Sequence, residues 1–91
     1  MGKFLVTHTL PSPATLDEAG MFGKAAKAAC TPDAYWIGSW AQFNEQGKIL
    51  KIHCEWDAKD AQSIRGILDK IPQLPVDGIW PMAKVDGEAY R

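Results

Sequence analysis

The chain has few of the features that mark several large functional classes of proteins. Its net charge is −1 and no basic cluster is present, so nucleic-acid binding has little support. No apolar run approaches the ~20 residues that a membrane span requires. Pro11 and Pro13 follow a short strand-like run, so no signal peptide is expected. Two cysteines make no disulfide framework and favour a reduced, cytoplasmic setting.

The short motifs that hold cofactors and metals are also missing. No nucleotide-binding or haem motif is present, and neither HxxxH nor CxxC occurs. The 91 residues are expected to form one domain, 1–91. A domain of this size buries a modest fraction of its surface, so oligomerisation would help to stabilise it.

The most informative segment is Tyr35–Trp56, which is predicted to form a β-hairpin. Its flanks are rich in aromatic and β-branched residues, and Asn44–Gly47 has turn chemistry. If Phe43 lies opposite Lys48, alternation places on the face under the helices Tyr35, Ile37, Ser39, Ala41, Phe43, Leu50, Ile52, Cys54 and Trp56. The opposite face then carries Trp36, Gly38, Trp40, Gln42, Ile49, Lys51, His53 and Glu55. A one-residue slip would mix the two sets.

The N-terminal third is predicted to contain a strand and a helix. Lys3–Leu10 has strand character, and Pro11 stops it because proline cannot continue a hydrogen-bonded ladder. The T-x-x-E pattern at 15–18 is a capping box that starts a helix, which Thr31-Pro32 ends. The predicted buried stripe of this helix is Leu16, Ala19, Phe22, Ala26 and Ala29.

The C-terminal third is predicted to contain a second helix and a last strand. Asp57 is expected to cap the helix, with Asp60 three residues on. Val76–Val85 is the predicted last strand, and Pro81 places it at an edge or in a bulge. A polar tail over Asp86–Arg91 follows. The predicted buried stripe of the helix is Ala61, Ile64, Ile67, Leu68 and Ile71.

This order of elements predicts the ferredoxin-like α+β fold, βαββαβ. Right-handed crossovers give a four-stranded antiparallel sheet of order 4-1-3-2, with both helices on one face. The other face has no cover within the chain. With Trp36 and Trp40 on it, this face would exceed the apolar patch that monomers usually expose. We therefore expect a homodimer of the dimeric α+β barrel type, in which two sheets face each other and enclose a cavity.

Three short stretches resemble a family of small ferredoxin-like proteins of unknown function that has a nickel-binding member. Phe4–Pro11 is similar to the first strand of that family, Trp36–Trp40 is similar to its W-V-H-S-Y strand, and Leu74–Ile79 is similar to its approach to the last strand. The resemblance implies this fold and a possible nickel site. Gly38 stands where the family often has histidine, and Thr7 where it often has glutamate.

The candidate site residues lie mainly on the mixed face of the hairpin. His53 and Glu55 could form a catalytic pair, since a carboxylate raises the basicity of a nearby imidazole. His8, His53 and Glu55 could offer nitrogen and oxygen ligands to a transition metal such as Ni²⁺. The residues that could bind a small molecule are Trp36, Trp40, Lys51 and Trp80. Each of these residues has a purely structural alternative, and Cys30 and Cys54 are expected to be core residues.

Three functional hypotheses follow. The leading one is a homodimeric protein that binds a small molecule or a transition-metal ion between its paired sheets. The second is a cofactor-independent isomerase or monooxygenase, in outline similar to muconolactone isomerases and antibiotic-biosynthesis-type monooxygenases, with His53 as the base. The third is a dimerisation module without a ligand. Thermal-shift screening separates the third from the others, because a ligand that binds only the native state stabilises it.

Overall fold

A four-stranded antiparallel sheet with two helices on one face is formed by residues 1–90, which the computed structural model describes. Arg91, the last residue of the predicted tail, lies outside the described residues. The strand order is β2-β3-β1-β4, which is the predicted order read from the other edge. The ferredoxin-like prediction is therefore confirmed. The elements are β1 (Gly2–Ala14), α1 (Leu16–Ala29), β2 (Ala34–Phe43), β3 (Ile49–Ala58), α2 (Ala61–Leu68), β4 (Gly78–Pro81) and a 3-10 turn (Gly87–Tyr90).

The central strands β1 and β3 form the longest part of the sheet. Their ladder runs from the Gly2–Ala58 pair to the Thr9–Lys51 pair. β1 continues past the prolines to Ala14, so the predicted end at Leu10 is wrong. The ladder is irregular between Thr9 and Ala14 and the prolines there are exposed. The prolines can lie in this part of the strand because the irregular ladder does not require hydrogen bonds from the backbone N–H groups that proline lacks.

Helix α1 begins at the predicted capping box. Thr15 Oγ1 accepts a hydrogen bond from the Glu18 backbone N–H (3.2 Å), and Glu18 Oε1 accepts one from the Thr15 N–H (3.0 Å). The inner side of α1 carries small residues, and only Ala26 is fully buried. Leu16 is 64% exposed, so its predicted place in the core is wrong. The first turn of α1 thus contributes little to the core.

Helix α2 is short and well packed. Its cap is Asp60, whose carboxylate accepts from the Ser63 N–H at 2.8 Å. Asp57, the predicted cap, instead continues β3, pairs with Tyr35 and binds Lys3. The predicted stripe is confirmed within α2 for Ile64, Ile67 and Leu68. Ile71 is also buried, but it follows the end of the helix.

The hairpin of β2 and β3 contains two bulges, which change the predicted faces at its ends. The pairs observed are Gly38–Glu55, Trp40–His53 and Gln42–Lys51, two residues away from the predicted register, so parity is retained there. Ile37 is an extra residue in β2 and Leu50 is one in β3. A bulge exchanges the two faces of a strand beyond it. This places Trp36 and Ile49 on the helix side and leaves Tyr35 and Ile37 exposed.

Strand β4 is shorter than the predicted Val76–Val85. It pairs only with β1, and Pro81 lies opposite Phe4 at its end. The edge position predicted from Pro81 is confirmed. In the described part of the chain, no helix is both long and apolar enough to cross a membrane.

Candidate functional site

The sheet face that no helix covers, called the open face here, carries most of the predicted site residues. One row across all four strands is Trp40, His53, Thr7 and Gly78. Lys51 belongs to the next row, opposite Gln42 and Thr9. The Trp40 side chain is 82% exposed, although directly paired side chains on a sheet lie only about 5 Å apart at Cβ. The indole therefore stands out from the sheet beside the His53 ring.

His53 and Glu55 share the open face but have different partners. The Nε2 atom of His53 is hydrogen-bonded to the side-chain oxygen of Gln42 at 2.9 Å. The Glu55 carboxylate instead binds the ammonium of Lys3 at 2.8 Å, and Asp57 binds the same ammonium at 2.7 Å. Glu55 thus does not orient the imidazole as the predicted catalytic pair requires. The geometry favours a hydrogen-bonding role for His53.

The two exposed tryptophans of the open face lie at opposite sides of the sheet. Trp80 is on β4, opposite Leu5, and its ring covers Gly78 so closely that a Cβ there would clash. Trp40 is three strands away, roughly 14 Å at the usual strand spacing. Trp36, the other predicted wall of the pocket, lies on the helix side. Two indoles of one chain therefore cannot sandwich a ligand on this face.

The three predicted metal ligands do not come together. His8 belongs to the buried side of β1, with 1% of its surface exposed, whereas His53 and Glu55 lie on the open face. Its Nδ1 is 2.7 Å from the Pro75 carbonyl oxygen. No group of three or more histidine, cysteine, aspartate or glutamate side chains among residues 1–90 could hold a metal ion. The donor set does not fit the nickel site that the resemblance implies, because alternation separates His8 from His53.

His8 is instead a buried, neutral histidine. Because a carbonyl oxygen only accepts, Nδ1 carries the proton that it donates to Pro75, and Nε2 is unprotonated. Burial lowers the pKa of His8 below its ordinary 6.5, and the Pro75 hydrogen bond and the charge of Asp77 oppose this only in part. At a pH between these two pKa values, His8 therefore stays neutral in the folded protein but is protonated in the unfolded chain.

We expect the stability of the protein to fall as the pH is lowered from 7 through the ordinary pKa of histidine. The contribution of His8 is fully present above 6.5 and is lost toward its lower pKa in the folded state, with a slope of at most about 1.4 kcal/mol per pH unit. His8→Asn keeps a donor for Pro75 and should flatten this part of the profile. Urea unfolding between pH 7.5 and 5 measures it. An unchanged profile in His8→Asn would contradict the assignment.

A second concave feature, which the sequence reasoning missed, lies between α1 and the sheet. This inner cavity has a volume of about 230 Å³ and is mostly apolar. Its walls include His8, Trp36, Ser39, Cys54 and Trp56. Trp36 donates its indole N–H to the Ser39 hydroxyl (2.9 Å), which in turn donates to the Cys54 sulfur (3.0 Å). Most polar groups of the wall are thus already paired.

Cys54 is a buried thiol, as predicted for a core residue. Burial raises the pKa of its thiol above the ordinary 9.0, and the hydrogen bond from Ser39 offsets this only in part. The sulfur is therefore protonated at neutral pH and is a poor nucleophile. Cys30 is only partly buried, and its sulfur lies 3.3 Å from the Ala26 carbonyl oxygen.

The inner cavity results from the small residues on α1. The residues of α1 that line it include Ala19, Gly20, Gly23 and Ala26. A Cβ on Gly23 would lie 3.2 Å from the Trp36 ring, whereas a Cβ on Gly20 would meet no atom within 4 Å. A helix with larger residues at these positions would fill the space. The repeated small residues of α1 are the sequence signal for this cavity.

The fold is shared with a solved structure of low sequence identity. The crystal structure of SCO4226 from Streptomyces coelicolor A3(2) matches with a TM-score of 0.74, covering 92% of this chain and 99% of that chain at 15% identity. A scan against protein-family models finds no match, and no curated protein matches significantly. At this identity the similarity shows the fold alone, and fold does not imply function.

Proposed function

We propose that the protein binds small aromatic carboxylic acids on its open face, and that a second copy of the chain closes the site. The observation that carries this proposal is the exposed indole of Trp40 standing in register with His53. Aromatic rings stack on such a surface, and an imidazole at its side can hydrogen-bond a polar substituent. The ring of the ligand would lie against Trp40.

Lys51 supports a ligand with a negative charge. It lies diagonally across from Trp40 on the neighbouring strand, a distance that a long side chain spans. Lys3 is held by two carboxylates, whereas Lys51 forms no ion pair within residues 1–90. Lys51 therefore has an ammonium group that is available to bind the carboxylate of a ligand. This group acts as a strongly hydrated point charge.

A second copy is proposed because the open face is large and no helix covers it. Four strands spaced about 4.8 Å apart make a face of several hundred Å², the same order as the ~800 Å² per partner of a standard interface. The face carries exposed aromatic rings and both signs of charge, so it can meet its own copy across a two-fold axis. Such pairing would also supply the second indole that one chain cannot place against Trp40.

The proposal is tested by thermal-shift measurements with salicylate, 4-hydroxybenzoate and indole-3-acetate. We expect at least one of them to raise the melting temperature, since a ligand at 100 times its Kd stabilises by about 2.7 kcal/mol. His53→Ala should remove the shift, and Lys24→Ala, a change on the exposed surface of α1, should preserve it. The absence of a shift with all three acids, or a shift that survives His53→Ala, would refute the proposed site.

A further inference from the structure

The inner cavity between α1 and the sheet is a pocket that is partly open to solvent and has room for a small molecule. The cavity holds about 230 Å³, while an apolar cavity of roughly 150 Å³ is enough to bind benzene. The space therefore suits one substituted aromatic ring or a molecule of similar size.

One of the lining residues carries a buried polar group that lacks a partner. Trp56 is 1% exposed and lines the cavity, and its indole N–H is the one buried side-chain nitrogen or oxygen without a hydrogen-bond partner among the described residues. Leaving a buried donor unpaired is costly, and native structures rarely do so. The Ser39 hydroxyl accepts from Trp36 and donates to Cys54, and it forms no hydrogen bond with Trp56.

The cavity has a route to the surface at the first turn of α1. Leu16 is part of the lining but is 64% exposed, so it stands at the mouth. Gly20, one turn further along the helix, is exposed and has free space where a side chain would be. A small molecule could therefore enter without unfolding the sheet.

We propose that the inner cavity is a binding site for a small, mostly apolar molecule that carries one hydrogen-bond acceptor, to which Trp56 Nε1–H donates. The apolar wall selects an uncharged ligand, because an ion would lose its hydration without a counter-charge. The unpaired N–H selects a carbonyl or ether oxygen over a hydrocarbon of the same shape. This site is on the opposite side of the sheet from the open face and does not rest on the proposed function.

The test compares acetophenone with isopropylbenzene, which has a similar shape but no acceptor. Binding is followed by the indole N–H signals in ¹H–¹⁵N spectra, in which the Trp56 signal is assigned by its loss in Trp56→Phe. Acetophenone should shift that signal and bind about tenfold more tightly than isopropylbenzene, as one net hydrogen bond allows. In Trp56→Phe the two affinities should become equal.

A pair of matched variants tests the location. Gly20→Leu adds a large side chain at the exposed rim of the cavity and should block binding, whereas Gly66→Leu makes the same change on the exposed surface of α2, away from the cavity, and should preserve it. Both changes improve helix propensity, so the fold is retained. Binding should also persist when the open face is disrupted by Trp40→Glu. The proposal is overturned if acetophenone does not bind, if it binds no more tightly than isopropylbenzene, or if Gly20→Leu binds as Gly66→Leu does.

Discussion

A Trp40→Glu variant is expected to be monomeric at concentrations where the unchanged chain forms the proposed dimer. The Trp40 side chain is 82% exposed in the single chain, so its replacement removes few contacts within the fold. In the proposed dimer it is buried against the second copy, and tryptophans in interfaces commonly contribute about 2 kcal/mol or more. A two-fold interface contains the substitution twice. The loss is then about 4 kcal/mol, roughly a thousandfold in Kd, and a buried carboxylate adds to it.

Sedimentation velocity at several concentrations measures this effect. The unchanged chain should sediment with about twice the 10.0 kDa mass of one chain. Met21→Glu is the matched control, because Met21 is also highly exposed (71%) but lies on α1 rather than on the sheet. The dimer proposal fails if the unchanged chain is monomeric at about 100 μM, well above the Kd of a specific dimer, or if Trp40→Glu and Met21→Glu behave alike.

Among the substitutions on α2 that are compared here, Ile64→Ala is expected to cause the larger loss of folding stability. Ile64 is fully buried at the centre of α2. An eight-residue helix is too short to persist by itself, so packing on the sheet holds it. Removing a buried isoleucine side chain costs about 2–5 kcal/mol, a large part of the roughly 5–14 kcal/mol available to a domain of this size. The melting temperature should fall by at least about 10 °C.

Urea unfolding at one fixed protein concentration checks this value, since dimerisation would otherwise contribute to the measured stability. Gln62→Ala is the control. It is exposed on the same helix and should change the free energy of unfolding by less than about 0.5 kcal/mol. Equal effects of the two substitutions would show that α2 does not pack on the sheet as described.

Much of the fold was predictable because local patterns and tertiary packing agree. The capping box at residues 15–18 forms as predicted, and the apolar spacing of α2 matches the side chains that it buries. Pro81 correctly indicated an edge strand. The chain order then leaves few topologies that satisfy right-handed crossovers. In such segments hydrogen bonding and hydrophobic period are local properties, so the sequence is enough to determine them.

The candidate site was predictable only in part, because a strand assigns its side chains to faces by strict alternation. One extra residue reverses every face beyond it. The bulge at Ile37 moved Trp36 from the predicted pocket to the inner cavity, while Trp40 and His53 kept their predicted face. Nothing local to the hairpin indicates this bulge. In the folded chain the Trp36 ring lies against Gly23 of α1, a contact between elements that the hairpin sequence alone does not contain.

By itself, the sequence determined the number and order of the four strands and two α-helices, and the apolar side chains of α2 that enter the core. Only the tertiary structure decided that His8 is buried away from His53, that Asp57 binds Lys3 instead of capping a helix, and that Trp56 lines a cavity with an unpaired N–H. The physical reason is the separation along the chain of the residues that determine each feature. Helix caps and hydrophobic periods depend on neighbours a few residues away, whereas register, bulges and cavities depend on strands and helices that are distant in the chain and compete for the same space.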